Sequence, residues 1–156
     1  MRLTRLGIAV AASITLQVVG AVLAIQQRLA YGFGGHGDPN QVARDFVLGG
    51  GTAESPSVVF LVLLVLAAVL AAVRGRVGVI ACVAVSALSV LEVIGFLGEP
   101  HTWRTFSLGS LEPGWAAYEL LALASLVAMF LLAVRELAVR RRLQPTAHDA
   151  ERQPKL

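Results

Sequence analysis

PSVVFLVLLVLAAVLAAVRGRVGVIACVAVSALSVLEVIGFL, residues 56–97, decides the fold. Two apolar runs, 56–73 and 77–97, flank a short link, Arg74-Gly75-Arg76. A bilayer core takes about 20 apolar residues as a helix, because backbone N–H and C=O groups must pair within the segment where there is no water. Each run has roughly that length, although the first is short at its apolar core, 58–73, which is almost purely aliphatic. Working outward, runs of the same kind recur at 6–25 and 115–134. The expected fold is an all-α membrane protein, a four-transmembrane-helix bundle over residues 1–144. Its outer loops fall at 29–55 and 98–114, and a polar tail at 145–156 is expected to be disordered.

Composition supports this reading. The chain is 56% hydrophobic and 15% charged, against roughly 45–50% and about 25% in soluble domains. Four spans in 156 residues leave no room for a soluble catalytic domain. Cys82 is the single cysteine and lies within the third run, so no intrachain disulfide can brace the loops.

Charge sets the expected topology. Arg2, Arg5, Arg74, Arg76, Arg135, Arg140, Arg141, Arg142, Arg152 and Lys155 fall on one side of the four runs, and Arg28, Arg44 and Arg104 on the other. The positive-inside rule places the first set in the cytoplasm, giving N-in and C-in. The basic character is therefore read as topology and not as nucleic-acid binding. Residues 135–142 are expected against anionic inner-leaflet lipid. The first run also resembles a signal peptide, but its apolar core of about 20 residues exceeds the 7–15 of a signal h-region. Arginine outnumbers lysine twelve to one, which points to a bacterial plasma membrane.

Aromatic residues lie on one side too. Tyr31, Phe33, Phe46, Phe60, Phe96, Trp103, Phe106, Trp115 and Tyr118 fall toward the outer loops, and only Phe130 lies in the inner half. This is the pattern of an interfacial belt or of an aromatic pocket opening outward. In the first outer loop, Asp38 can cap a short helix with Pro39 at its first position and Gly49 as its stop. Such a helix would carry Val42, Ala43, Phe46 and Val47 on one face, lying on the membrane surface or over the bundle mouth.

Within the spans a few polar residues stand out. Glu92 lies about 7–8 Å and Glu119 about 6 Å from the outer surface at 1.5 Å per residue. Charged groups in a span are costly and usually face the bundle interior or a water-filled cavity. At one depth on adjacent helices the two carboxylates would repel and compete for one proton. Either could instead pair with Arg28 or Arg104. Gln17 sits mid-span in a small-residue stripe, Ser13, Gln17, Gly20, Ala21 and Ala24. A second stripe, Gly78, Cys82, Ser86 and Ser89, leads to Glu92. Small residues allow close helix approach, so the first and third helices are expected to touch, with Gln17 and Glu92 lining one interior.

His36 and His101 lie in the outer loops near Asp38 and Glu99. Their spacing matches no metal motif, and no metal or other cofactor is expected. Phosphate-loop, nucleophile-elbow, His-Glu-x-x-His and Cys-x-x-Cys motifs are absent. Three functional classes follow. The leading one is a non-catalytic accessory or interaction protein, with another membrane protein or a second copy as partner. The second is a proton-coupled transporter or channel using Glu92, Glu119 and Gln17. The third is a membrane enzyme acting on lipid or quinone, with Glu92, Glu119 and His101 as acid–base groups. Glu99, Arg104 and Arg28 complete the candidate groups at the outer face.

Overall fold

The computed structural model describes residues 4–32, 37–107 and 112–143. Arg2, Phe33, Gly34, Gly35, His36, the side chain of Arg142 and the 145–156 tail lie outside the described residues. Six helices follow in order: α1 Arg5–Gln27, α2 Val42–Leu48, α3 Val58–Ala71, α4 Arg76–Gly98, α5 Pro100–Thr105 and α6 Pro113–Leu143. Helices α1, α4 and α6 are long and apolar enough to cross a membrane. With 14 residues, α3 covers only about 21 Å at 1.5 Å per residue.

Each end of α1 is closed by its own chemistry. The Thr4 hydroxyl accepts from the Gly7 N–H at 3.1 Å, the usual service of an N-cap threonine. At the other end Arg28 takes the left-handed conformation, φ 57°, and Leu29 N donates to Ala24 O at 2.8 Å, a closing turn more often made by glycine.

The four long elements form a ring. α4 packs most extensively on α6, α3 on α4, and α1 on α6 and α3. α1 and α4 therefore lie on a diagonal, and the first and third spans approach each other through the Gln17 and Glu92 side chains and not by close backbone packing. The reason lies in what the small residues admit. A Cβ at Gly20 would collide with the Tyr118 hydroxyl of α6, and one at Gly78 with the Arg140 guanidinium of α6. Gly20 and Gly78 thus each leave room for a side chain of α6.

The apolar core occupies one half of the bundle. Leu6 and Val10 of α1, Leu64 of α3, Val85 of α4 and Met129 of α6 are buried together there. The outer surface of the ring is aliphatic: Leu66 is 54% exposed, Ile80 68% and Leu131 58%. Exposed apolar area on this scale marks a surface that water does not cover, and with the long apolar helices it makes this a helical bundle suited to a membrane.

At the end of the bundle that carries the arginines, Arg140 holds the C-terminus of α3. Its guanidinium donates to Val73 O at 2.7 Å and Ala71 O at 2.6 Å, and its Nε to Glu136 at 2.9 Å. The last carbonyls of a helix have no partner within it, and the guanidinium fork supplies one. Glu136 and Arg140 form an ion pair one turn apart on α6.

At the opposite, loop-bearing end, α2 begins at Val42, later than the expected start at Pro39. The Asp38 carboxylate accepts from Asn40 N at 2.8 Å and from Gln41 Nε2 at 3.0 Å, so it closes a turn before the helix and does not cap it. Those bonds hold the Asp38 carboxyl below its ordinary value. Gly49 does end the helix. Of the expected apolar face only Val42 is buried.

Candidate functional site

The polar residues gather at the loop end, and the first loop is drawn into the bundle to meet them. Gly51, at φ 110°, starts a turn in which Thr52 N donates to Ser55 O at 2.7 Å. A Cβ at Gly51 would strike the Ser55 carbonyl, so the turn needs glycine on both counts. Ala53 N donates to Leu29 O at 3.3 Å, and Ala30 bridges Thr52, tying the turn to the end of α1. Glu54 is thereby carried inside, its side chain only 1% exposed.

Three side chains from three segments converge there. His101 Nδ1 lies 2.8 Å from Glu54 Oε1 and 3.5 Å from Glu119 Oε1. The Glu119 side chain is fully buried, and neither of its oxygens has a hydrogen-bond partner among the described residues. Glu119 first and Glu54 second raise the His101 pKa to about 9, against the opposing effect of burial. The imidazole stacks edge-on against Trp115 at 5.4 Å, and Trp115 against Tyr118 at 5.8 Å. The Tyr118 hydroxyl donates to Leu16 O of α1 at 3.0 Å, which locks the wall behind the cluster.

Beside the cluster is a cavity of about 200 Å³. Its polar lining is Gln17, Thr52, Glu54, Ser55, Glu92 and Glu99, and Phe60, Leu91 and Phe96 are among its apolar walls. Glu92 is 8% exposed, and neither carboxylate oxygen has a hydrogen-bond partner among the described residues. Gln17 approaches it across the diagonal without reaching hydrogen-bond geometry, and instead donates Nε2 to Ser13 Oγ at 3.0 Å. Gln17 and Glu92 thus share one interior although the backbones of their helices stay apart.

The candidate residues divide cleanly. Glu119 and His101 meet, which brings together two of the three groups considered for acid–base chemistry. Glu92 and Gln17 form a separate pair in the cavity. Glu99 serves as a clamp: both of its oxygens accept from Gly32 N, at 3.1 and 3.0 Å, fastening the first loop to the α4–α5 corner. Burial and this carboxylate push the Tyr31 hydroxyl above its ordinary value. Arg28 and Arg104 are exposed, and the charge beside Glu119 is His101. Glu54 is the member of this cluster that sequence reasoning missed. Within Gly51-Thr52-Ala53-Glu54-Ser55 it reads as a solvated loop, and no sequence signal marks it.

No family model, curated protein or solved structure matches the chain. The fold and site therefore define a class only: a helical membrane bundle with a buried, carboxylate-rich polar site at one end.

Proposed function

We propose that the chain is a four-span protein of the plasma membrane, N-in and C-in, that binds a proton or a small cationic solute in an outward-opening cavity and passes it through Glu92. The observation that carries this reading is the Glu92 carboxylate, buried in a cavity wall with neither oxygen hydrogen-bonded. A buried polar group without partners costs several kcal/mol, and a proton, a cation or a donor from a solute would relieve it. The cavity is below the roughly 300–1,000 Å³ of sites for drug-sized ligands, which favours a small occupant.

The test is proton flux into proteoliposomes under an imposed potassium–valinomycin potential, followed with a trapped pH dye. Flux is expected from the parent chain and is expected to fall at least tenfold in Glu92→Gln. Equal flux in both would remove Glu92 from any transport role. Infrared difference spectra should also show a protonated carboxyl band at neutral pH that is lost in Glu92→Gln.

The accessory reading has one observation of its own. At about 21 Å, α3 is shorter than the roughly 30 Å hydrocarbon core, and such mismatch is relieved by thinning, flanking residues or association. Cross-linking through cysteines placed at Leu66 would trap a partner or a second copy if α3 is the contact. Absence of any product in native membranes would count against it.

A further inference from the structure

The cluster of Glu54, His101 and Glu119 does not enter the transport reading, and its geometry asks for an occupant. Two carboxylates with formal charges of minus one, both closed to water, face a single half-buried imidazole. One imidazolium offsets only one of the two charges. Glu54 Oε1 and Glu119 Oε1 share the one imidazole nitrogen, and Glu119 Oε2 is left without a partner among the described residues.

We infer that Glu54, His101 and Glu119 form a binding site for a divalent first-row transition metal, with zinc the best fit to the ligand set. One ligand atom from each residue lies within 4.8 Å of the other two. Bonds of about 2.0–2.1 Å in tetrahedral geometry put neighbouring ligand atoms about 3.4 Å apart. The 2.8 and 3.5 Å from His101 Nδ1 bracket that spacing, and the carboxylate oxygens lie within 4.8 Å of each other, so side-chain adjustments of about an ångström would close the site. A divalent cation also offsets both carboxylate charges, leaving the buried group neutral. Imidazole among the ligands selects zinc, iron, nickel or copper over magnesium and calcium. Three protein ligands leave a fourth position for water or a ligand oxygen, as in catalytic zinc sites.

The ligands come from the first loop, α5 and α6, so the metal would cross-brace all three. Glu54 also lines the cavity of Glu92, and the metal would stand at its rim. The inference is independent of transport through Glu92.

Purified chain in detergent, treated with chelator and dialysed, would be titrated with zinc by calorimetry and with cobalt by visible spectroscopy. One zinc per chain with sub-micromolar affinity is expected, with cobalt d–d bands of four- or five-coordinate intensity. Loss of a supporting group beyond the ligands costs 10–100-fold in other metal sites, so Glu119→Gln and His101→Gln should each weaken zinc binding on the order of 100-fold or more. Glu92→Gln should leave it unchanged. His101→Cys should bind cobalt with a new thiolate charge-transfer band, a signature that a merely structural histidine cannot give. Zinc affinity weaker than about 100 µM in the parent chain would overturn the inference. Binding retained in His101→Gln but lost in Glu92→Gln would overturn it too, moving the metal to the cavity. A His101→Cys protein that stays folded and shows no charge-transfer band does the same.

Discussion

Gly20 shows how tightly single residues set this bundle. The Tyr118 hydroxyl fills the space where a side chain would begin, and it is held there by its bond to Leu16 O. Gly20→Ala should therefore destabilise the protein by about 1–3 kcal/mol, the usual cost of overpacking. The same substitution in a Tyr118→Phe background should cost less, because the nearest clashing atom is gone. Thermal unfolding of the four proteins in one detergent measures this coupling, and equal costs in both backgrounds would show that the hydroxyl is not the obstacle. Glu92, Glu119 and Gln17 were legible as polar interruptions of apolar runs, and their burial follows from the cost of charge in a span. Which partner each one meets was not legible. Helical periodicity gives the face of a residue but not which neighbour stands there, so Glu119 was equally free to face Glu92, an arginine or His101. Glu54 was hidden for a different reason: its burial depends on a loop held by backbone bonds to α1, and those leave no periodic trace.

At the scale of elements, α3 depends on its neighbour more than the other long helices do. It is the shortest of the four, and its final carbonyls are served by a side chain from α6. Hydrogen bonds involving a charged group contribute about 1.5–3 kcal/mol each. Arg140→Ala should fray α3 from its C-terminus, with amide exchange rising first at residues 69–73 and stability falling by about 2 kcal/mol. Arg140→Lys should restore only part of this, since an ammonium lacks the planar fork that reaches two carbonyls and Glu136 together. Unchanged exchange at 69–73 in Arg140→Ala would show that the cap is dispensable. The same residue had been expected against anionic lipid. Its carbonyl and carboxylate partners now make Arg135 and Arg141 the better subjects for that proposal. The four long helices were legible, although α6 runs to Leu143 beyond the expected span end at 134, and the short helix α5 at Pro100–Thr105 fell where only a loop was expected. The start of α2 was not legible, because an aspartate that closes a turn and one that caps a helix look alike in sequence.

The whole molecule has two unlike halves. Aliphatic side chains fill the end that carries the arginines, and carboxylates, amides and hydroxyls fill the end that carries the loops. The four apolar runs and their charge bias gave the number of long elements and the expected orientation. The ring order, with α1 and α4 diagonal, required knowing that Gly20 and Gly78 each face a side chain of α6. Orientation is testable directly. In a Cys82→Ala background, cysteines placed at the exposed Leu48 or Trp103 should react with a membrane-impermeant maleimide on intact cells. A cysteine at Arg74 should react only after permeabilisation. The reverse pattern would invert the topology and put the carboxylate site inside the cell.

The folded-in turn at Gly51–Ser55 also bears on how the protein is made. Its glutamate leaves the ribosome before the third and fourth long helices exist, and its partners His101 and Glu119 arrive with the last of them. A half-inserted chain thus presents an unsatisfied acid at the membrane surface until the final helix docks. The order of synthesis makes this turn among the last parts of the fold to reach its packed position.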